Sequence, residues 1–417
     1  MRVMLIAHGT HSSKHSRYRR WAPSAIVWLL ATCTCLPQSL AVTDAVIYAS
    51  PSAPAVSRAT VLMKDGRIVA FGSRVKIPPG YEVIRCAGCV VVAGFWNGHV
   101  HFTEPKWAGA DRQPANRLNG QLQSMLTRSG FTTVVDTASL LSNTLALRHR
   151  IDSGELLGPR ILTAGSPLYP PDGIPYYVKD ELPAEVVRQM TSPADASEAV
   201  ALVDANLRGR ADIIKVFTGS WISKEEVLPM PEAIAQSVVR VAHRAGRLVF
   251  SHPSNLAGMQ VAIDSGVDVL AHAPENTRGI DDALLRRAVA RKMVMIPTLK
   301  LFAGNSNIED IRRVVRRFHE LGGRVVFGTD TGYLTDYSIN EEFEQLSKAG
   351  FTWREILGML TEYPSRLFGD HNSRGRIAAG MTADLTVLGS DPATDPSAFS
   401  KVRYTIRSGQ VVYQSSR

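Results

Sequence analysis

Phe95-Trp96-Asn97-Gly98-His99-Val100-His101 decides how this chain is read. An apolar run over residues 90–96 leads straight into two histidines spaced i and i+2. On a strand, side chains at that spacing share a face, so one strand can offer two imidazoles to one ion. Downstream, apolar runs of strand length recur at 132–136, 160–164, 212–217, 248–251, 267–271, 294–297 and 324–328. Segments with apolar spacing of three and four lie among them, at 198–207, 232–245, 281–291 and 308–321. Strands alternating with helices predict a parallel sheet with crossover helices, covered on both faces. Eight such strands over roughly 240 residues predict an α/β fold, a (β/α)8 TIM barrel, with a doubly wound open sheet as the competing architecture. The Pro-rich stretch 166–193 between the third and fourth runs predicts a functional lid or rim.

The flanks carry a different pattern. Residues 42–93 read as short strands and turns, with Lys64-Asp65-Gly66 as a hairpin signal because Asp-Gly suits positive φ. The tail repeats it, with strands at 383–388 and 402–406 and Ser408-Gly409-Gln410 turning into 411–413. Neither end closes a core alone. Together they predict a small composite β-sandwich domain from residues 42–93 and 370–417, flanking a catalytic barrel at 94–369.

Polar residues with ligand chemistry fall at the ends of the barrel runs. His99 and His101 follow the first, Lys215 lies on the fourth, His252 ends the fifth, His272 the sixth and Asp330 the eighth. Active sites of such barrels lie at the C-terminal strand ends, so these six are expected to converge. Imidazole and carboxylate suit Zn, and also Mn, Ni or Fe. One histidine at such a place is more often a hydrogen-bonded core residue; four of them with Asp330 reverse that reading. His8, His11 and His15 lie near the N-terminus, and His149, His243, His319 and His371 fall on helices or in the tail, where a solvated role is expected.

These residues resemble the amidohydrolase superfamily of metal-dependent hydrolases. Gly98-His99-Val100-His101, Lys215, His252, His272 and Asp330 carry the resemblance. Asp65-Gly66-Arg67-Ile68 and residues 375–384 look like recurrent segments of the flanking domain. The Ile-Lys-Val-Phe and Ala-His-Ala strands are similar to the imidazolonepropionase-related, prolidase-like branch. The resemblance implies His99, His101 and Asp330 on a more buried ion, His252 and His272 on a second, and Lys215 bridging both as its carbamate. A carbamate presents two anionic oxygens, and the lysine loses its proton more readily when buried beside metal charge. With Lys215 unmodified, one ion suffices. The implied cofactor is thus a divalent metal, zinc foremost, as two ions or one.

The implied reaction is hydrolysis of an amide, peptide-like or lactam C–N bond by metal-activated hydroxide, with Asp330 as general base and then acid. The expected partner is a small molecule: an N-acyl amino acid, a dipeptide or a lactam. A mononuclear cyclic-amidine deaminase or imidazolonepropionase-like hydrolase is the alternative, and a catalytically silent ligand-binding barrel stands further off. Related deaminases often carry Glu three residues after the fifth-strand His; Asn255 stands there, which lowers deamination. Trp107, Tyr169, Tyr176, Tyr177, Trp221 and Tyr333 are candidates for substrate selection, each equally able to pack a loop.

The balance of 47 basic and 38 acidic residues, +9, suggests nucleic acid or an anionic membrane until its distribution is read. Lys14, Arg17, Arg19 and Arg20 precede an apolar stretch over 25–36, then Pro37 and Ser39-Leu40-Ala41. That order predicts a signal peptide over residues 1–41, cleaved near Ala41, and a periplasmic or secreted protein. The stretch is shorter than the roughly 20 residues of a membrane span. A membrane is therefore reached only through an uncleaved leader or a lipid on Cys33. Residues 1–41 hold five basic and no acidic residues, leaving 42 against 38, or +4. Nucleic acid is not an expected partner. Cys86-Ala87-Gly88-Cys89 lacks the second pair of a zinc site, so a local disulfide and two free thiols both stay open. So does a homo-oligomer.

Overall fold

A computed structural model of the chain describes residues 39–181, 187–188 and 190–416. Apart from residues 39–41, the expected leader lies outside them. Both chain ends build one mixed sheet of eight strands. Ser39–Tyr48, Ala55–Lys64, Arg67–Gly72, Glu82–Arg85 and Val90–Ala93 come from the front, and Leu385–Leu388, Val402–Arg407 and Gln410–Gln414 from the tail. The strand Ser39–Tyr48 begins ahead of the expected boundary at residue 42, with Leu40 and Ala41 buried in the sheet's own core.

That strand carries both halves of the sheet. Its first half pairs in parallel with Glu82–Arg85 and its second half with Val90–Ala93. Register breaks at Val42/Ala45 and Ala45/Ile47, with Asp44 at φ 61°, bend it between the two. The hydrogen-bonded ladder therefore stays continuous through the bend, as one sheet and not two. Asp65-Gly66 (φ 51° and 75°) and Ser408-Gly409 (φ 48° and 79°) are two-residue turns closing Lys64↔Arg67 and Arg407↔Gln410. Positive φ at both positions matches the twist of the flanking strands. Cys86 and Cys89 are disulfide-bonded, with Cα atoms 5.3 Å apart.

Gly94 divides the first apolar run in two. Val90–Ala93 pairs with Leu385–Leu388 in the terminal sheet, whereas Phe95–Val100 opens the barrel. A Cβ at Gly94 would lie 2.3 Å from Thr132 Oγ1, so only glycine lets the chain cross here. The eight parallel strands form two ladders. Phe95–Val100, Phe131–Asp136 and Arg160–Thr163 make one; Ile213–Phe217, Leu248–His252, Val269–Leu270, Val294–Met295 and Arg324–Val325 make the other.

The ladders are not joined into a closed ring of continuous pairing. At one seam the first and eighth strands meet without a regular ladder, through Gly98 N→Phe327 O and His101 N→Thr331 O (both 2.8 Å) and a Val100↔Thr331 bridge. At the other, Leu168 inserts from the Pro-rich segment. Its N–H donates to Lys215 O at 2.9 Å and its carbonyl accepts from Phe217 N at 2.8 Å. Part of the expected rim is thus a barrel staple.

The helices Ala196–Arg208, Glu232–Arg244, Asp282–Ala290 and Ile308–Glu320 lie where apolar spacing predicts them. Asp195 caps the first by accepting from Ser197 N and Glu198 N, and Asp281 caps the third by accepting from Leu284 N. Trp96, Val135, Leu162, Ile213, Phe250, Val269, Val294 and Val326 share one apolar cluster that fills the barrel interior. Among the described residues, no helix is long and apolar enough to cross a membrane.

Candidate metal centre

Four local devices aim the six ligand candidates at one place. Lys215 and His252 lie two residues beyond Ile213 and Phe250, which belong to the interior cluster, so strand alternation turns both inward. The Asn97–Val100 bulge re-aims the first strand and delivers His99 and His101. Asp330 is placed by a left-handed backbone, φ 59°, held by its own N–H donating to His99 O at 2.9 Å. Gly332 at φ 104° follows because a Cβ there would lie 1.9 Å from His101 O. His272 follows a strand that ends at Leu270. Thr298 fixes its ring, 2.7 Å from His272 Nδ1.

The result is a buried donor cluster. Ligand atoms of His99, His272 and Asp330 lie within 4.8 Å of one another. His99 Nε2 is 3.2 Å from His101 Nε2, and Asp330 Oδ1 is 3.2 Å and 2.9 Å from those two nitrogens. The His252 ring lies 4.5 Å from that of His272, whose ring is 4.4 Å from His99. The three-residue group therefore draws His272 to the side expected for His99 and Asp330.

Burial pulls the pKa values of His99, His252 and His272 well below the ordinary range, and the neighbouring cationic groups add to it. They stand neutral, the form that binds metal. Burial also pulls His101 down, but bonding and charge from Asp330, then charge from Asp136, outweigh it and leave its pKa raised. Burial brings Lys215 down to about 7 against the opposing pull of Asp330. Lys215 Nζ and Asp330 Oδ1 are buried with no hydrogen-bond partner of acceptable geometry. Converging imidazoles, a carboxylate and an orphaned amine in a buried pocket form a donor set that fits a divalent cation.

A supporting tier holds the ligands in place. Ala138 O accepts from His101 Nδ1 at 2.7 Å, leaving Nε2 as the ligand atom. Ala138 also accepts from Ser139 Oγ at 2.7 Å, and that hydroxyl lies 2.5 Å from Asp136. Asp136 is fully buried and accepts further bonds from Thr144 and Thr163 at 2.9 and 2.8 Å. Its carboxyl is raised by burial and pulled back by these hydroxyls and His101.

Asn97, Asp136 and Thr298 were not among the candidates from sequence. A carboxylate closing an apolar strand three residues before a serine was the available signal for Asp136. Asn255, the position weighed for deamination, accepts from Gly258 N at 3.0 Å and caps the helix Leu256–Ser265. Trp107 is fully buried against Phe102 and packs its loop; it does not line the site. His243 and His319 pair with Asp268 and Glu355 on the periphery.

A barrel of parallel strands with histidines, lysine and aspartate gathered at the strand ends defines a metal-binding hydrolase. The chain belongs to the amidohydrolase family, whose model matches residues 90–412. It is an enzyme of the class that hydrolyses carbon–nitrogen bonds. It is similar to a dihydroorotase of Clostridium acetobutylicum, 21% identical over 416 residues, covering 85% of this chain and 95% of that one. Among solved structures it resembles a Xaa-Pro dipeptidase with bound methionine in the active site, with TM-score 0.77 and 21% identity, covering 91% of this chain and 100% of the other. It also resembles a prolidase complexed with N-methylphosphonate-L-proline, with TM-score 0.74 and 20% identity over 91% of this chain and 100% of that one. These likenesses define the fold as the family's (β/α)8 type.

Proposed function

We propose that the protein is an exported amidohydrolase that cleaves the amide bond of a dipeptide, N-acyl amino acid or lactam. His99, His101, Lys215, His252, His272 and Asp330 would hold two divalent ions, zinc foremost. The observation that carries this reading is Lys215 Nζ, buried without a partner among four imidazoles and Asp330. With its pKa brought down to about 7 by burial, this amine gives up its proton far more readily than an ordinary lysine. In its neutral form it can attack carbon dioxide, lose a proton and become the bridging carbamate.

Bound metal would supply Lewis acidity and lower the pKa of water. The protein's part is proton handling and orientation. Asp330 takes the proton of the attacking water and returns it to the leaving nitrogen. Its left-handed backbone and its bond to His99 O keep the carboxylate between the first and eighth strands. The prolidase-like neighbours support a peptide-like substrate, and the use of Asn255 as a helix cap counts against deamination. The basic, apolar, small-residue order of the leader supports export, and the Cys86–Cys89 bond fits an oxidising compartment.

Metal-reconstituted protein should be screened against dipeptides, N-acyl amino acids and lactams, with released amine and ammonia read separately. Amine release that falls more than about 100-fold in Asp330→Asn supports the reading. Ammonia release alone, or activity indifferent to that change, overturns it. For export, mass spectrometry of the extracytoplasmic form should show loss of the leader; an intact Met1 there would count against cleavage.

A further inference from the structure

Aromatic side chains from the Pro-rich segment and its neighbours gather on one side of the centre. Phe217 stacks on His252, with centroids 4.6 Å apart and planes within 14°. Tyr169 lies 4.6 Å beyond Phe217, and Tyr177 connects Tyr176 at 5.5 Å with Tyr333 at 6.0 Å. Tyr169 is 4% exposed, and burial raises its hydroxyl above the usual range.

One carboxylate completes this wall. Glu275 stands three residues past His272, clamped from the next loop by Asn307 Nδ2 to its carbonyl (2.8 Å) and Asn305 Nδ2 to Oε1 (3.2 Å). Trp221 lies beside its carboxyl, which burial raises and these neighbours pull back. Burial raises the Tyr177 hydroxyl well above its usual range, and Tyr169, Tyr333, Asp330 and Glu275 push it the same way. All four groups therefore stand within electrostatic reach of the Tyr177 hydroxyl, and Glu275 forms no ion pair among the described residues. The rim lysines are engaged elsewhere: Lys106 pairs with Glu104 at 2.8 Å, and Lys300 donates to Ser338 O at 2.7 Å and to Asp336. An aromatic wall beside a carboxylate with no ion pair among the described residues selects an apolar group that carries positive charge.

We propose that this wall is the subsite for the acyl half of the substrate, in which Tyr169, Tyr177 and Phe217 take a bulky apolar or aromatic side chain and Glu275 takes a cationic nitrogen beside it. The preferred substrate is then an amide with a free ammonium on its acyl side, such as an aromatic-first dipeptide, and not an N-acylated amino acid. This deepens the amide-hydrolase reading and rests on it.

The test is a calorimetric comparison on metal-reconstituted protein. L-Phenylalaninol carries the aromatic group and the ammonium, whereas 3-phenyl-1-propanol lacks the nitrogen, and neither contains an amide to be cleaved. The cationic probe should bind at least about tenfold more tightly. Glu275→Gln, which keeps an oxygen for Asn305, should reduce that preference below about threefold while leaving 3-phenyl-1-propanol binding unchanged. Equal binding of the two probes, binding of neither, or a preference that survives Glu275→Gln overturns the proposal. Turnover is not needed for this comparison, so failure to hydrolyse any amide would count against the hydrolase reading separately.

Discussion

Asn97 Nδ2 donates to Thr329 Oγ1 at 2.7 Å, tying the strand that bears His99 and His101 to the turn that bears Asp330. The same amide's Oδ1 accepts from His99 N at 3.1 Å and from Thr329 N at 3.2 Å. These bonds lie at the seam where regular strand pairing fails, so one side chain replaces part of the lost ladder. Asn97→Ala leaves buried donors without acceptors, at about 1–3 kcal/mol. The melting temperature should fall, and metal affinity should fall with it by about tenfold or more. Titration against a chelating dye reads the second effect; unaltered affinity would show that the seam holds without Asn97.

Asp136 acts from the opposite side of the strand. Its bonds from Ser139, Thr144 and Thr163 fix the loop whose Ala138 carbonyl orients His101. Asp136→Asn keeps the volume but places an N–H among hydroxyl donors. Metal affinity should drop about 10- to 100-fold with the circular dichroism spectrum unchanged. A variant that binds metal as tightly as the parent would refute the positioning role.

Lys215 and His252 were legible in the sequence because alternation along a buried strand is arithmetic. His272 and Asp330 were legible only as strand-end residues. Their regular strands stop at Leu270 and Val325, and the φ of 59° that aims Asp330 leaves no mark in composition. The division of the first run was signalled by Gly94, since a glycine inside an apolar strand often marks a close backbone approach. The single terminal sheet was not legible. It depends on a bend at Asp44 that keeps two halves of one strand in register with different partners.

Glu342 gives the protein a distinctive pH dependence. It is fully buried under the loop that carries Thr298, and Lys300 N donates to its Oε2 at 2.7 Å. Burial pushes its carboxyl up to about 8 from an ordinary 4.5, with the backbone bonds opposing. A raised folded pKa means that the neutral form stabilises the fold fully below the unfolded value, and that this contribution is lost as pH rises through about 8. Glu342→Gln stays neutral, so between about pH 6 and 9 its melting temperature should fall by a few degrees less than the parent's. Parallel melting curves across that range would mean that Glu342 ionises without cost.

Metal content is the most direct measurement of the central claim. Protein reconstituted with zinc in bicarbonate buffer and freed of excess ion should carry about two ions per chain, and Lys215→Ala should carry one or fewer. One ion per chain in the parent, unchanged by Lys215→Ala, would contradict a binuclear centre bridged by Lys215.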